Sequence, residues 1–281
     1  MFASRFRRLR VLPVLTAVGL ASAGAVGLAS AGAVTSAHAR SISAKPTVVL
    51  VHGAFADSSG WDGVIDRLRH DGYPVVAAPD PLLGLAFDAD TVRAYINSIP
   101  GPKILVGHSY GGAVITQAAS GDPDVKALVY VAAFAPARGE RLNQLLMRRV
   151  AHPIPPLPLL PVKVKQPDGT TRTDIYLDPS QFRARFAGDV PSAVAADLVA
   201  TQPPTSAAAF TAQLTVEPAW KTIPSWYLVA KQDKAIAPDL ERFMAARIHA
   251  HMSEINGSHA VYISHPKAVA SLIEQAARAI S

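Results

Sequence analysis

A glycine-flanked serine lies in the run Gly107-His108-Ser109-Tyr110-Gly111-Gly112, between two stretches of different character. The apolar stretch 104–106 is typical of a buried strand, and the Ala-rich stretch 110–119 is typical of a helix. A turn this sharp from strand to helix holds its central residue in a strained backbone conformation, and glycine beside it avoids clashes. We therefore expect the hydroxyl of Ser109 to stand clear of a sheet, beside the N-terminus of a helix, where a nucleophile is well placed.

From Lys45 onward, short apolar runs alternate with helix-like stretches. This alternation predicts an α/β fold, with a mostly parallel sheet and helices on both faces. Strands are predicted at 47–51, 75–78, 104–106, 127–134, 226–230 and 251–255, and a closing helix at 266–280. A chain of this length can bury one sizeable core, so we expect a single catalytic domain over 40–281.

The region from Glu140 to about 223 breaks this alternation and contains clustered prolines. They are Pro153, Pro155, Pro156, Pro158 and Pro161. Proline lacks an amide hydrogen and disfavours helix in the residue before it, which excludes a core helix or a central strand here. We predict an inserted cap at about 140–223, with short helices near 179–186 and 190–200, over the strand ends. A disordered linker to a second domain is the alternative, disfavoured because too few residues follow.

The first 39 residues have the pattern of a secretory signal peptide. Four arginines precede an apolar run over 11–34, which ends near Ala37-His38-Ala39. We predict cleavage after Ala39, and hence an extracellular or cell-envelope protein with no stable membrane association after cleavage. An uncleaved transmembrane anchor is the alternative, because the run is long enough to span a bilayer. Twin-arginine export stays open as a route, since Arg7-Arg8 fits that signal in part.

Charge and cysteine content exclude several kinds of function. The chain has a net charge of +6, but four of its 27 basic residues and none of its 21 acidic residues precede Arg40. The mature chain therefore has 23 basic and 21 acidic side chains, a net +2, which predicts no nucleic acid partner. The chain contains no cysteine, which excludes disulfides and thiolate metal sites. Histidines and carboxylates form no short-spaced ligand pairs on a helix, so we predict no metal and no cofactor.

A serine hydroxyl needs a base to take its proton, and a carboxylate usually orients that base. Of the nine histidines, His259 follows the last predicted strand in a short loop, from which it can reach back to the serine. His265 is the weaker alternative. The predicted acid is Asp233, which closely follows the strand 226–230 and gives the chain order serine, acid, histidine. Asp239 is interpreted instead as a residue of a helix N-terminus.

The negative charge that develops on a substrate oxygen needs two hydrogen-bond donors. One is predicted to be the backbone amide of Tyr110, next to the nucleophile. The other is predicted in the loop after the first strand, where we favour the amide of Ala54, with that of Phe55 as the alternate. The side chains of Phe55 and Tyr110, with parts of the cap, are expected to line an apolar substrate pocket.

Together these motifs resemble those of the α/β-hydrolase superfamily, and within it the compact branch that includes plant methylesterases, hydroxynitrile lyases and bacterial esterases. The resemblance covers most of the chain from Thr47 onward. The matching pieces are His52-Gly53-Ala54, Trp61, 107–112, Asp233 and Ser258-His259-Ala260. The resemblance implies the α/β-hydrolase fold and cofactor-free acyl transfer, in which His259 activates the water that hydrolyses an acyl-serine.

Departures from relatives narrow the activity that this resemblance implies. The hydroxynitrile lyases of the branch have threonine after the first-strand histidine and lysine after the catalytic histidine, where this chain has Gly53 and Ala260. The cofactor-free haloperoxidases usually have methionine where this chain has Tyr110. Dehalogenases and epoxide hydrolases have aspartate where this chain has Ser109. These differences argue against all four activities.

We therefore predict a secreted serine esterase that acts on small to medium, apolar carboxylic esters. A lactonase or an amidase would use the same three residues, and only the pocket distinguishes them. An extracellular lipase or polyester depolymerase is a further alternative, which requires interfacial activation or an exposed apolar groove. A non-catalytic ligand-binding protein of the same fold is disfavoured by the complete set of Ser109, Asp233 and His259.

Overall fold

The computed structural model of the protein describes residues 45–280. The predicted signal peptide, residues 1–39, and its cleavage site therefore lie outside the described residues. Within residues 45–280, no helix is long and apolar enough to cross a membrane.

The centre of the fold is a six-stranded sheet in which every strand runs parallel to its neighbours. The strands of the described residues, in both sheets of the fold, are β1 Thr47–Val51, β2 Val75–Ala77, β3 Lys103–His108, β4 Val125–Val131, β5 Leu159–Lys165, β6 Thr171–Leu177, β7 Thr205–Ser206, β8 Ser225–Ala230 and β9 His251–Ile255. The central sheet has the order β2-β1-β3-β4-β8-β9, so β3 and β4 lie in its middle. Aliphatic and β-branched residues fill β1 and the middle of β3, and both strands are almost entirely buried, as expected for parallel strands covered on both faces. The predicted parallel α/β architecture is confirmed.

Helices connect these strands and pack against them. The α-helices of the described residues are α1 Asp62–His70, α2 Leu85–Asn97, α3 Tyr110–Ala118, α4 Leu142–Leu146, α5 Pro179–Arg185, α6 Ser192–Thr201, α7 Ala208–Thr211, α8 Pro238–Arg247, α9 Val261–Ser264 and α10 Pro266–Ala279. Proline begins α5, α8 and α10, a position where its missing amide hydrogen costs nothing. α1 packs on α10 and α2 on α3, while α3, α8 and α10 contact strands of the central sheet.

The segment between β4 and β8 contains a second, antiparallel sheet that we did not predict. β5 and β6 form a hairpin, and β7 pairs with the other side of β6. Pro161 lies within β5, which tolerates it because β5 is an edge strand. Gly169 in the hairpin turn has a φ of +84°, which glycine adopts without strain. The two helices predicted in this segment correspond to α5 and α6, and the cap boundaries at about 140–223 stay a prediction.

The strand order brings the residues of interest to one edge of the central sheet. Neighbouring parallel strands end on the same side, so the loops that follow β1, β3, β8 and β9 lie together. Ser109 directly follows β3, Asp233 follows β8 by three residues, and His259 follows β9 by four.

Candidate active site

Side chains from three loops form one hydrogen-bonded array, which we call the Ser109–His259–Asp233 array. Nε2 of His259 is 2.8 Å from Oγ of Ser109, and Nδ1 of His259 is 2.5 Å from Oδ2 of Asp233. Ser109, His259 and Asp233 are 6%, 1% and 2% exposed, respectively. A neutral imidazole that donates from Nδ1 to the carboxylate presents an unprotonated Nε2 to the serine hydroxyl. The structure therefore brings together the residues predicted as nucleophile, base and acid.

The turn that carries Ser109 is strained. Ser109 has φ 52° and ψ −119°, a backbone region that L-residues rarely adopt, and it is the N-cap residue of α3. A Cβ at Gly107 would lie 2.5 Å from the carbonyl oxygen of Gly111, and a Cβ at Gly111 would lie 2.5 Å from that of His52. These glycines therefore allow β3, α3 and the loop after β1 to approach within backbone contact.

The carboxylate of Asp233 is fixed by its own loop. Its Oδ1 accepts hydrogen bonds from the amides of Ala235 at 2.6 Å and Ile236 at 2.8 Å. Aspartate often accepts from amides two or three residues ahead, so the local sequence favours this turn. The second oxygen, Oδ2, is left for His259.

The loop that carries His259 is held by the segment between α5 and α6. The amide of Ala260 donates to the carbonyl of Phe186 at 2.9 Å, and the Phe186 ring lies edge-on to the His259 imidazole, with centroids 4.8 Å apart. Oγ of Ser258 donates to Oδ1 of Asp189. Burial alone would raise the pKa of Asp189, but hydrogen bonds from serine hydroxyls outweigh it and lower that pKa. Asp189 is therefore an ionised acceptor at neutral pH.

Two further buried histidines lie near the array in neutral form. Burial, followed by the charge of His259, lowers the pKa of His108 well below 6.5. Burial likewise lowers the pKa of His52. Nε2 of His108 donates to the carbonyl of His259 at 2.9 Å. Because both neighbours stay neutral, they add no positive charge that would oppose protonation of His259.

Backbone amides suited to an oxyanion lie in the two predicted loops. Tyr110 is the first residue of α3, where amide hydrogens have no partner within the helix. In the loop after β1, the amide of Phe55 donates to Oγ1 of Thr205 at 3.3 Å. Because Phe55 is engaged in this way, Ala54 stays the favoured second donor.

Two cavities share an apolar wall beside the array. A small cavity of about 20 Å³ is bordered by Ser109 and His259. A larger cavity of about 420 Å³ adjoins it. The shared wall consists of Phe55, Leu146, Leu157, Phe210 and Ala235. Aliphatic, proline and aromatic side chains make up most of the larger cavity, which suits an uncharged apolar group. Phe55 thus lies where the pocket was predicted.

The side chain of Tyr110 differs from its predicted place in the pocket. It is fully buried, and its hydroxyl donates to Oδ2 of Asp88 at 2.7 Å. The same carboxylate accepts from the amides of Leu83 and Gly84 at the start of α2. A buried tyrosine hydroxyl needs a partner, and Asp88 supplies it. Neither Tyr110 nor Asp88 is among the described residues that line the two cavities.

The alternatives considered for acid and base are engaged elsewhere. Oδ2 of Asp239 accepts from the amide of His152 at 2.9 Å, and its Oδ1 accepts from Arg242 at 2.9 Å. Nδ1 of His265 lies 3.4 Å from Oδ2 of Asp189.

Three polar residues that support the site were not predicted. They are Asp189, Thr205 and Glu241. Asp189 and Thr205 lie in the segment between β4 and β8, where no sequence pattern indicates their partners. Glu241 lies on α8 and is fully buried. Ala237, Met244 and Ala245 lie three or four residues from Glu241, the spacing of one helix face, and this apolar face was the one available signal. A lone signal of this kind does not indicate a role.

The chain matches the model of the alpha/beta hydrolase family over residues 48–272, a range that contains the whole array. A curated relative, the alpha/beta hydrolase nvfD of Aspergillus novofumigatus (strain IBT 16806), is 26% identical over 257 residues, 83% of this chain and 97% of that protein. The carbendazim hydrolyzing esterase of Nocardioides sp. (strain SG-4G) is 35% identical over 111 residues, 35% of this chain and 46% of that protein.

Solved structures resemble the fold over most of its length. A pyrethroid hydrolase from Sphingobium faniae JZ-2 is 25% identical, with a TM-score of 0.67, and the match covers 83% of this chain and 98% of that one. Polyneuridine aldehyde esterase is 18% identical, with a TM-score of 0.70, and the match covers 82% of this chain and 99% of that one. The second similarity shows a shared fold alone.

Proposed function

The chain belongs to the α/β-hydrolase family, and we propose that it is a secreted serine esterase that cleaves carboxylic esters through an acyl intermediate on Ser109. The observation that carries this proposal is the imidazole of His259, which is hydrogen-bonded at once to a hydroxyl and to a buried carboxylate. A serine hydroxyl alone is a weak nucleophile, and this arrangement activates it.

In the first half-reaction, Oγ of Ser109 attacks the ester carbonyl carbon while Nε2 of His259 takes the hydroxyl proton across 2.8 Å. The carbonyl oxygen becomes an oxyanion, for which the amides of Tyr110 and Ala54 are the proposed donors. Asp233 stays ionised and stabilises the imidazolium. The imidazolium then protonates the leaving alcohol, and the acyl group stays on Ser109.

In the second half-reaction, His259 takes a proton from a water molecule, whose oxygen attacks the acyl carbon. The tetrahedral intermediate collapses, and the imidazolium returns the proton to Oγ of Ser109. One ester and one water give one acid and one alcohol, so the cycle consumes no cofactor.

The cavities support a small to medium, apolar, uncharged ester. We assign the ester group to the small cavity that Ser109 and His259 border, and an apolar group beyond it to the adjoining cavity of about 420 Å³. Relatives named for hydrolysis of pyrethroids and carbendazim support a small-molecule substrate. A lactone or an amide would meet the same array, so the leaving group is the point to test.

The test is hydrolysis of p-nitrophenyl esters of increasing acyl length by the protein without residues 1–39. Ser109→Ala is compared with Ser98→Ala, which alters an exposed serine at the end of α2. We expect activity that falls by at least about a thousandfold in Ser109→Ala and is unchanged in Ser98→Ala. Activity that survives in Ser109→Ala would refute the proposed nucleophile. Hydrolysis of matched lactones and anilides is then measured to compare the leaving groups. Hydrolysis of these substrates but not of the esters would refute the proposed esterase activity.

Export is proposed from the sequence of residues 1–39 and is tested apart from catalysis. We expect the protein in the culture medium or cell envelope to begin at Arg40. A membrane-bound product that retains residues 1–39 would support the anchor instead.

A further inference from the structure

Glu241 is a buried carboxyl group near the array that the steps above do not use. It is 0% exposed, and its Oε2 accepts a hydrogen bond from the amide of Ala230, at the end of β8, at 3.1 Å. Its Oε1 is also buried and has no hydrogen-bond partner among the described residues. A buried polar atom without a partner is costly, so the protonation state of Glu241 has to account for this oxygen.

The carboxyl group of Glu241 lies within hydrogen-bonding reach of the Asp233 carboxylate. Two carboxylates that share a buried site cannot both be ionised, because like charges repel strongly there. Asp233 accepts hydrogen bonds from His259 and from two backbone amides, whereas Glu241 accepts one. Donors favour the charged form of an acid. The negative charge therefore stays on Asp233, and the proton stays on Glu241.

The other titratable groups around Glu241 do not reverse this assignment. Burial, followed by the charge of Asp233, raises the pKa of Glu241 well above its usual range. Arg242 acts in the opposite direction, but its guanidinium is paired with two other carboxylates. Tyr227 also faces Glu241, and its hydroxyl donates to the carbonyl of Ala133, so it stays neutral and bonded elsewhere.

We propose that Glu241 is a positioning residue, which as a neutral acid donates a hydrogen bond from Oε1 to the carboxylate of Asp233. This inference rests on the proposed function, in which Asp233 orients His259. A single proton accounts for both the unpaired Oε1 and the contact between two acceptors. Because the donor is neutral, Asp233 keeps the charge that stabilises the imidazolium. The bond also ties the acid to α8, in addition to its own loop.

Two variants of Glu241 separate the hydrogen bond from the volume of the side chain. Glu241→Gln has the same shape, and its amide can donate to Asp233 while its oxygen accepts from Ala230. Glu241→Met has a similar volume and neither group. We expect kcat within about threefold of wild type for Gln, and a loss of about 10- to 100-fold for Met with little change in KM, as for a lost hydrogen bond to a charged group. Equal losses in both variants would overturn the proposal.

Infrared spectroscopy of the wild-type protein near pH 7 tests the proton without requiring activity. We expect the difference spectrum between wild type and Glu241→Gln to contain the C=O stretch of one protonated carboxylic acid, which shifts in D2O. Asp80 serves as the control, because burial raises its pKa as well and its bands should cancel in the difference between wild type and Glu241→Gln. A difference spectrum with only carboxylate bands would overturn the proposal, even if ester hydrolysis is found. If the protein has this acid band but no esterase activity, Glu241 is still the protonated acid, and only the proposed function is refuted.

Discussion

Asp233 has one oxygen held by two backbone amides and the other left for His259. Asparagine at this position would keep the shape, but its side chain is neutral and can present an N–H donor where Nδ1 of His259 needs an acceptor. The imidazole would then favour the tautomer that cannot take the serine proton. We expect Asp233→Asn to lower kcat by about 10⁴-fold, the loss found when this tautomer is wrong in a serine protease.

The matched control for Asp233→Asn is Asp239→Asn, which changes the other candidate carboxylate six residues further along the chain. Asp239 is bonded to His152 and Arg242, outside the array. We expect its kcat to stay within about twofold of wild type, since ion pairs near the surface contribute little and this one does not contact the array. A larger loss of kcat in Asp239→Asn than in Asp233→Asn would instead identify Asp239 as the acid. Steady-state kinetics on one p-nitrophenyl ester decides between them.

The sequence predicts Ser109, His259 and Asp233 because each lies within four residues of the end of a strand, in a recognisable local pattern. It does not predict Glu241, because the contact of Glu241 with the Ala230 amide joins a helix to a strand and exists only in the folded chain. It does not predict Thr205, because its partner is distant in the chain. Thr205 meets the amide of Phe55, 150 positions away, and only tertiary contact reveals that pair. The Tyr110 side chain was placed wrongly for the same reason, since its partner Asp88 lies on another helix.

Among the elements, the inner strands β1, β3, β4 and β8 are predicted well because buried parallel strands form nearly continuous apolar runs. The β5–β6 hairpin escapes prediction because β5 is almost fully exposed and contains Pro161, so it lacks that apolar signal. The turn at Asp168-Gly169 was the available indication, since this dipeptide is a strong hairpin signal. The proline cluster thus correctly indicates that this segment contains no central strand, but it does not exclude an edge strand such as β5.

The contact between Asp189 and Ser258 joins the segment after α5 to the loop of His259. We expect Asp189→Ala to lower kcat by about 10-fold, because the loop loses its hydrogen bond from Ser258 to a carboxylate and keeps the contacts of the Ala260 amide, the Phe186 ring and His108. Asp197→Ala, which removes an exposed carboxylate of α6, is the control and should leave kcat unchanged. An unaffected kcat in Asp189→Ala would show that this contact does not hold the base. Kinetics and melting temperatures of both variants are measured together.

At the scale of the whole molecule, Asp80 makes stability depend on pH. It is 7% exposed, its Oδ2 has no hydrogen-bond partner among the described residues, and its Oδ1 accepts from the amide of Leu82 at 3.3 Å. Burial, followed by the charge of Asp88, raises the pKa of Asp80 well above 3.8. The folded state therefore keeps a proton that the unfolded chain loses, so this contribution to stability is present below 3.8 and is lost as pH rises toward the folded pKa.

Asp80→Asn removes this penalty, because its oxygen still accepts from Leu82 and its amide does not ionise. We expect its melting temperature to exceed that of wild type by an amount that grows as the pH rises from about 4 toward the raised pKa of Asp80 in the folded state. Asp66→Asn alters an exposed carboxylate of α1 and should show no such trend. A gain that is constant with pH would contradict the raised pKa of Asp80. Thermal unfolding by circular dichroism at a series of pH values provides the measurement.

The proposed function requires that Ser109 is the nucleophile and that His259 activates it. Mass spectrometry of the protein after reaction with a fluorophosphonate, with peptide mapping of the modified site, tests both requirements. We predict one phosphonyl group for each chain, located on Ser109, absent from Ser109→Ala and formed far more slowly in His259→Ala. Labelling of another residue, or an active wild-type protein that stays unlabelled, would contradict it.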